Sequence, residues 1–367
     1  MQQHRGCNIH NKIKTNDPSR FGTVLLAAAV IASAMTMLFI LHAETDDSSA
    51  EIVEGGWCGP DAYYTYYLDG TLEISGSGAM YSEPECMPWE AYREDITKIV
   101  IGDDILLLAQ GAFSECINLK ELIIPITVNC VVSDQHSAFA GCCSIEKVTL
   151  TVGTDGYGYD YASAEGHNSF YQLTPWYQSR DVLKELSFAD GVKRIGDYAF
   201  PELNITSLTI PSSVVNLGAH CFYGCTQLTE LTLPISANAV VSDRDPAFGG
   251  VCGLVKVTLS PGSGWGYDYA AYEVSDCYYQ HTPWYQSRDT LTSVNFVCGI
   301  THIGSDAFRE LKIVDIHIPD GVKTLGNHTF YNCSCMRAIY IPIGLDCLKF
   351  GKYPAFEGCP IEYTRIG

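Results

Sequence analysis

Short segments in which apolar and polar residues alternate recur along most of the chain, and most of them stop at a proline. Examples are ELIIP, SLTIP, ELTLP, DIHIP and AIYIP. A period of two places alternate side chains on one face of a β-strand, as with Leu208 and Ile210, and proline cannot extend a hydrogen-bonded ladder. Each segment is therefore predicted to form one short strand with one buried face.

These strands recur at a regular distance along the chain. Their first inward residues are predicted to be Ile99, Leu122, Val148, Leu186, Leu208, Leu231, Val257, Val294, Ile316 and Ile339. Most steps between them are 22 to 26 residues, and two are 37 or 38. One strand in roughly 20 to 29 residues is typical of leucine-rich repeats, which stack so that each covers the apolar edge of the next. We predict a leucine-rich-repeat solenoid of α/β or mainly β class, with a parallel sheet of about ten rungs.

A larger unit is duplicated within this array. LTPWYQSRDVLKELSFADGVKRIGDYAF ends at Phe200 and HTPWYQSRDTLTSVNFVCGITHIGSDAF ends at Phe308, an offset of 108 residues. Motifs such as IGDYAF and IGSDAF predict a second inward stack, with a column of Phe residues behind the sheet. Trp89, Trp176 and Trp284 each precede an inward strand residue by 12 positions. We therefore predict that all three tryptophans pack at the same station of the repeat.

The repeat unit resembles that of a known family. Its pattern, Ile-x-x-Ile-Gly-x-x-Ala-Phe followed by Cys-x-x-Leu-x-x-Leu-x-Ile-Pro, occurs in KRIGDYAF and GCTQLTELTLP and resembles the BspA-like class of leucine-rich-repeat surface proteins. The opening block, CGPDAYYTYYLDGTLEISGSGAMYSEPECMPWEAYREDITKIVI, resembles the segment that precedes the repeats in that family. The resemblance covers residues 57 to 367 and implies a cell-surface role in binding or adhesion.

The N-terminal segment is predicted to direct the chain to a membrane. Residues 21–41 are 21 consecutive positions without a charge, and a helix of that length spans the roughly 30 Å of a bilayer core. Basic residues precede the segment and acidic residues follow it, so the positive-inside rule places residues 1–20 in the cytoplasm and everything later outside. The helix is either a retained anchor on the extracellular face of the cell membrane or a signal segment cleaved near Ala43, which would give a secreted protein.

The exported part divides into three predicted segments. Residues 42–56 are polar and are predicted to be a linker, and residues 57–98 are predicted to be an N-terminal β cap. Alternating residues on both sides of Asp69-Gly70 predict a hairpin within this cap. The solenoid is then expected to occupy residues 99–367.

Charge and residue spacing restrict the classes of partner and cofactor. Residues 44–367 contain 18 Lys and Arg against 41 Asp and Glu, a net charge of −23, which disfavours nucleic acid as a partner. The acidic surface either keeps the protein soluble or complements a basic ligand. Cysteine and histidine lack the spacing of a zinc site, so we predict neither a metal nor a cofactor.

Export also makes covalent modification a candidate feature. Cys58 and Cys86 flank the opening block and are candidate disulfide partners. Cys116, Cys225 and Cys333 each follow a Phe by three residues and are predicted to be buried as small apolar side chains. The candidate glycosylation sites, in Asn-x-Ser/Thr sequons, are Asn204, Asn327 and Asn332.

The two long steps contain insertions at residues 153–177 and 262–285 that are rich in Gly, Tyr and Trp. Alternation predicts that the aromatic side chains of each insertion share one face of an extended segment. Such side chains are typical of recognition surfaces, although the same pattern also fits a hairpin packed on the back of the solenoid. The candidate ligand-binding residues are Tyr157, Tyr159, Asp160, Tyr161, Trp265, Tyr267, Asp268 and Tyr269.

The sequence contains two other candidate features. A single Asp in each insertion supplies too few oxygen ligands for calcium. Polar residues facing outward from the sheet form an alternative ligand surface; examples are Glu121, Ser207, Glu230 and Asp315.

Three functional classes follow from these patterns. The first is an extracellular protein that recognises a protein or another cell-surface macromolecule, as in adhesion. The second is a structural surface spacer without a saturable ligand. The third and most remote is an exported hydrolase, because the sequence has no Gly-x-Ser-x-Gly, His-Glu-x-x-His or phosphate-binding loop, and its carboxylates recur as repeat positions. An enzyme is therefore not predicted.

Overall fold

The computed structural model describes residues 51–81, 87–133, 136–161, 170–238, 246–262, 266, 278–343, 345 and 354–366. The chain divides into two compact units, Met1–Ile52 and Val53–Gly367, and the second contains the repeats. The predicted membrane helix at 21–41 lies outside the described residues and stays a prediction. No helix within the described ranges is both long enough and apolar enough to cross a bilayer.

Short strands make up most of the regular structure. They are β1 (Ile52–Trp57), β2 (Ala62–Tyr67), β3 (Thr71–Gly76), β4 (Gly78–Ala79), β5 (Lys98–Ile101), β6 (Ile105–Leu107), β7 (Glu121–Pro125), β8 (Val131–Ser133), β9 (His136–Ser137), β10 (Lys147–Thr151), β11 (Glu185–Phe188), β12 (Arg194–Ile195), β13 (Ser207–Thr209), β14 (Asn216–Leu217), β15 (Glu230–Pro234), β16 (Lys256–Ser260), β17 (Ser293–Phe296), β18 (His302–Ile303), β19 (Asp315–His317), β20 (Thr324–Leu325), β21 (Ala338–Ile341) and β22 (Tyr363–Ile366). A one-turn helix, α1, covers Pro175–Gln178, and 3-10 turns cover Glu90–Tyr92, Phe170–Leu173, Tyr278–His281 and Tyr285–Ser287.

The inward residues of successive strands stack directly on one another. Parallel ladders join β3, β5, β7, β10 and β11, then β13, β15, β16 and β17, and then β19, β21 and β22. Their register sets Leu208 beside Leu231 and Leu231 beside Val257, so these three residues lie in one sheet. The chain thus forms a parallel-sheet leucine-rich-repeat solenoid of about nine turns. The predicted count of ten rungs is not confirmed.

Alternation and proline act in these strands as the sequence predicts. In β7 and β15 the second and fourth residues are buried, and each strand ends at a proline, Pro125 or Pro234. Behind the sheet, a return wall carries shorter parallel pairs, β4 with β6, β12 with β14 and β18 with β20. Each turn of chain therefore contributes to two walls that enclose one core.

A column of stacked Phe rings fills the space behind the sheet, as predicted. Ring centres of neighbouring turns lie 4.8 Å apart for Phe113 and Phe139, and 5.3 Å apart for Phe308 and Phe330. Both distances suit stacked aromatic contacts. The other buried members of this column are Phe200, Phe222, Phe248 and Phe356.

The opening block contains the predicted hairpin. β2 and β3 pair antiparallel around the Asp69-Gly70 turn, where Gly70 has a φ of 83° and the Thr71 amide donates to Asp69 Oδ1 at 2.9 Å. β3 then pairs in parallel with β5, so the hairpin continues into the main sheet. β1 begins at Ile52, within the segment predicted to be a linker, and pairs with β2. The capping role of this block stays a prediction.

Candidate functional site

The three tryptophans occupy equivalent buried positions with one shared hydrogen bond. The indole Nε1 of Trp89 donates to Ala112 O at 2.8 Å, that of Trp176 to Ala199 O at 2.6 Å, and that of Trp284 to Ala307 O at 2.7 Å. Each acceptor lies 23 residues after its tryptophan. The prediction that these residues pack at one station of the repeat is confirmed, and they belong to the scaffold.

The TPWYQS motif at the end of each insertion also has a structural role. Ser179 Oγ donates to Cys142 O at 3.0 Å and accepts from Ile145 N at 3.1 Å. Gln178 Oε1 accepts from Gly141 N at 3.1 Å. In the second copy, Ser287 and Gln286 make the same contacts with the turn before their insertion. The near-identity of the two copies is therefore explained by the need to fasten each insertion to the preceding turn.

The first insertion begins by supplying a rung of the return wall. Tyr157 forms a parallel bridge with Arg194, and Gly158 N donates to Arg194 O at 2.9 Å. On the other side, Tyr159 N donates to Ile126 O at 3.1 Å. The segment is thus held between the turns before and after it. The alternative prediction was a hairpin packed on the back of the solenoid.

The three predicted tyrosines differ in exposure, although the rings of Tyr159 and Tyr161 lie 5.1 Å apart. Tyr157 is 50% exposed and Tyr159 is 38% exposed, whereas Tyr161 is 3% exposed. The Tyr161 ring meets the edge of Trp176, its hydroxyl lies 3.2 Å from Cys130 Sγ, and burial raises its pKa well above the usual value for tyrosine. Of the three tyrosines predicted to share one face, only Tyr157 and Tyr159 are therefore exposed, and Tyr161 is buried.

The alternation of buried and exposed residues ends at Asp160. Its Oδ1 accepts from Arg194 Nη1 at 2.6 Å and from the Asp197 amide at 2.7 Å, which ties this carboxylate to the next turn. The following residue, Tyr161, donates its amide to Asp197 O at 2.8 Å and turns inward. The Asp160 carboxylate therefore already serves the scaffold, and no metal-ligand group of His, Cys, Asp or Glu occurs among the described residues.

Other predicted residues have separate outcomes. In the second insertion, Trp265, Tyr267, Asp268 and Tyr269 lie outside the described residues, so their role stays a prediction. Cys58 is buried and Cys86 lies outside the described residues, so their disulfide also stays a prediction. The three sequon residues are exposed, as glycosylation requires; they are Asn204, Asn327 and Asn332.

Internal ion pairs occupy part of the outward face of the main sheet. Glu121 lies 3.2 Å from Lys98 Nζ and 3.6 Å from Lys147 Nζ, and Glu230 lies 3.4 Å from Lys256 Nζ. These partners are neighbours in register on adjacent strands. The predicted alternative surface at Glu121 and Glu230 is therefore paired with charge from the same sheet.

A further aromatic surface, absent from the sequence-based predictions, begins at the end of the first insertion and continues into the next two turns. Ring-centre distances join its members in series: 5.2 Å from Tyr177 to Tyr171, 5.8 Å from Tyr171 to Tyr198, 4.8 Å from Tyr198 to His220 and 5.1 Å from His220 to Tyr223. Tyr223 is 43% exposed and the other four are half-buried. These five residues are called the tyrosine strip.

The backbone of the tyrosine strip adopts an unusual conformation. Tyr198 and His220 have φ values of 51° and 52°, in the left-handed region that bulky residues rarely enter. Like these two residues, Asp306 and His328 stand two positions before a Phe of the core column, and they have φ values of 54° and 53°. The left-handed position is therefore a feature of the repeat, and the place before the Phe is the sequence signal that groups Tyr198 with His220.

Comparison with known proteins identifies the repeats. The model of the BspA type leucine rich repeat region matches residues 91–161, 176–263 and 284–367, in six copies. Among solved structures, a leucine-rich repeat protein from Bacteroides ovatus is 15% identical, with a TM-score of 0.32, and the match covers 87% of this chain and 99% of that one. A leucine rich cell surface protein from Faecalibacterium prausnitzii is 17% identical, with a TM-score of 0.25 and coverages of 88% and 96%.

A third structure is the pneumococcal vaccine antigen PcpA, which is 12% identical, with a TM-score of 0.25 and coverages of 85% and 88%. A comparison with curated proteins finds no match. The family model, in contrast, covers more than half of the chain, as the repeat spacing and motifs predicted. The chain belongs to the BspA-type leucine-rich-repeat family.

Proposed function

We propose that this protein is displayed outside the cell and binds a protein or another macromolecule on a cell surface, as in adhesion. The observation that supports this most is the exposure of Tyr157 and Tyr159 on a backbone held between two turns. Tyrosine gives a large contact area at a low cost in side-chain entropy, and a fixed backbone lowers that cost further. The tyrosine strip adds a second aromatic surface, in which Tyr223 is exposed.

The location of the protein is part of the same proposal. The apolar segment 21–41 either anchors the chain in the cell membrane, with residues 42–367 outside, or is cleaved near Ala43 to release a secreted protein. In both cases we expect the repeats to face the extracellular medium. We further propose that the protein is not an enzyme and needs no cofactor. We expect it not to bind nucleic acid, because its exported part is strongly acidic.

A structural spacer is the second candidate function. It is favoured by the ladder of alternating charges Lys98, Glu121, Lys147 and Glu185, which neutralise one another across four neighbouring strands. Charged side chains that already pair with one another are less available to a charged ligand. A spacer would be displayed at the surface without saturable binding.

Binding by residues 44–367, which include the whole second compact unit, separates the two functions. The fragment would be passed over surface-labelled cells, and retained macromolecules would be identified and titrated. We expect saturable binding that the double change Tyr157→Ala and Tyr159→Ala weakens about tenfold or more, the size of an interface hot spot.

The matched control is Tyr81→Ala, because Tyr81 is also 50% exposed and lies outside both insertions. This change should leave the affinity unaltered. Binding that never saturates would instead support the spacer. Saturable binding that is equally insensitive to all of these changes would move the site away from Tyr157 and Tyr159.

A further inference from the structure

Four cysteines form two pairs on neighbouring turns of the solenoid. Cys116 and Cys142 each stand three positions after a Phe of the core column, as do Cys333 and Cys359. Three of the four are fully buried, and Cys359 is half-buried. The two pairs therefore occupy equivalent places in their turns.

Backbone hydrogen bonds hold the turns of each pair in register. Glu115 N donates to Ala140 O at 2.7 Å beside the first pair, and Asn332 N donates to Glu357 O at 2.8 Å beside the second. The stacked Phe rings of the same turns have centres 4.8 Å apart at the first pair and 5.0 Å apart at the second. This spacing of the turns lies within the Cα separation of about 4.4 to 6.8 Å that a disulfide spans.

One carbonyl oxygen brings the two cysteines of the first pair together. Phe113 O accepts from the Cys116 amide at 3.4 Å and from Cys142 Sγ at 3.0 Å. The two thiols also interact directly, because a hydrogen bond between them lowers the pKa of Cys116 and raises that of Cys142. The two Sγ atoms are therefore neighbours.

The second pair repeats this arrangement. Phe330 O accepts from the Cys333 amide at 3.4 Å and from Cys359 Sγ at 2.9 Å. Here the hydrogen bond between the thiols lowers the pKa of Cys359 and raises that of Cys333. The same contact between two thiols thus occurs at two separate places in the solenoid.

A fifth buried cysteine, Cys225, has no thiol at the equivalent position of either neighbouring turn. It too stands three positions after a core Phe, and its Sγ donates to Phe200 O at 3.4 Å. The equivalent residue of the preceding turn is Leu203, and that of the following turn is Val251. Both are buried. An apolar side chain therefore fills this place of the repeat equally well, so packing alone does not require two thiols in contact.

We propose that Cys116 is joined to Cys142, and Cys333 to Cys359, by disulfide bonds that clamp neighbouring turns of the solenoid. The inference rests on the proposed location outside the cell, where disulfides form and persist. The oxidant is the disulfide of an exchange partner, such as oxidised glutathione or a disulfide oxidoreductase. One thiolate of the pair attacks that disulfide to form a mixed disulfide, and the second displaces the partner's remaining sulfur. The partner leaves as two thiols, which carry the two electrons and the two protons that the pair has lost.

The proposed bonds would stabilise the stack of turns at two places. Each bond closes a loop of one turn, which restricts the unfolded chain and so favours the folded one. The turns of a solenoid are held mainly by their neighbours, so a covalent bond between adjacent turns also opposes local separation of the stack. We therefore expect the bonds to raise the melting temperature of the repeats.

The test maps the bonds in two samples of the full-length chain. One sample is isolated from its cells without reductant, and the other is reduced in denaturant and then refolded with reduced and oxidised glutathione. Free thiols are alkylated in denaturant, and mass spectrometry identifies the linked peptides. We expect linked peptides that join Cys116 to Cys142 and Cys333 to Cys359, whereas Cys225 should be alkylated in both samples.

Valine variants test the clamping effect, because Val251 occupies the equivalent position in another turn. Without reductant, the double variant Cys142→Val and Cys359→Val should melt about 4 to 12 °C below the unmodified chain. Most of this difference should disappear once both proteins are reduced. Cys225→Val is the matched control, and its melting temperature should respond to reductant as that of the unmodified chain does.

Two results would overturn the inference. One is alkylation of the four paired cysteines that is as complete as that of Cys225 in both samples. The other is linkage of these cysteines to different partners. A melting difference of the double variant that persists in full after reduction would refute the clamping role, since the valines would then act through packing.

The result separates this inference from the proposed function. If the repeats lie outside the cell but neither pair is linked in either sample, the disulfides are wrong and the proposed location stands. If both bonds form with oxidised glutathione but the repeats are found inside the cell, the assignment of the pairs stands and the proposed location is wrong.

Discussion

At the scale of single residues, a glycine at the start of each insertion allows the chain to pass very close to the preceding turn. A Cβ atom built on Gly153 would overlap Thr127 Oγ1, and one built on Gly262 would overlap Ser236 Oγ. Gly153 also has a φ of 67°, which L side chains rarely adopt. The same close approach in both copies shows that the glycine is required by the geometry of the insertion.

Gly153→Ala should therefore destabilise the protein. We expect a loss of about 2 to 4 kcal/mol in the free energy of unfolding, from a left-handed Ala together with overpacking against Thr127. Urea denaturation would measure it. Gly78→Ala is the control, because Gly78 has a φ of 78° but no atom within 4 Å of its Cβ position. Equal losses in both variants would show that the contact with Thr127 does not matter.

Residue-scale features also show where sequence-based prediction stopped. The buried Phe column and the three Trp positions were predictable, because each recurs at a fixed place in a repeat. The burial of Tyr161 was not, because it depends on the Asp160 carboxylate accepting from a turn 37 residues later in the chain. Alternation of buried and exposed residues describes a regular strand. It fails where a side chain forms a hydrogen bond with the backbone of the next turn.

At the scale of elements, a short helical turn fastens the end of each long insertion, α1 in the first copy and the 3-10 turn Tyr285–Ser287 in the second. The buried Ser179 hydroxyl bonds to both the carbonyl of Cys142 and the amide of Ile145 in the preceding turn. Ser287 repeats both contacts with Val251 and Leu254. The sequence showed that TPWYQS is duplicated, but only the three-dimensional contacts show that its role is structural.

Ser179→Ala should weaken this attachment. It leaves one buried donor and one buried acceptor unpaired, so we expect a loss of about 1 to 3 kcal/mol in the free energy of unfolding, measured in urea. Ser287→Ala should have a similar effect. Ser187→Ala is the control, because its partly buried hydroxyl lies 3.1 Å from Thr149 Oγ1 on the sheet. If Ser179→Ala proved as mild as Ser187→Ala, the fastening role would be refuted.

The different elements that carry the tyrosine strip also explain why it could not be predicted from the sequence. Tyr171 lies in a 3-10 turn and Tyr177 in α1, whereas Tyr198 and His220 stand in left-handed positions of the next two turns. No single periodicity joins four such backbone conformations. The stacking of turns brings the side chains together, so the strip becomes visible only once the solenoid is built.

At the scale of the whole molecule, the fold follows from one repeated physical requirement. A single rung cannot bury its apolar edge, so each is stabilised mainly by its neighbours. This requirement made the parallel sheet and its inward residues predictable from spacing alone, as the pairing of Leu208, Leu231 and Val257 shows. Spacing could not predict a ligand, because exposed side chains such as Tyr157 and Tyr223 are not constrained by the stacking.

Methyl NOE spectroscopy on the protein with labelled Leu and Val methyl groups tests the stacking of rungs most directly. Neighbouring rungs lie about 5 Å apart and alternate rungs about 10 Å apart. We predict strong cross-peaks between Leu208 and Leu231 and between Leu231 and Val257, and none of comparable strength between Leu208 and Val257. Absence of the two neighbour cross-peaks, or a pattern that places Leu231 beside residues of a distant repeat such as Leu122, would contradict the account.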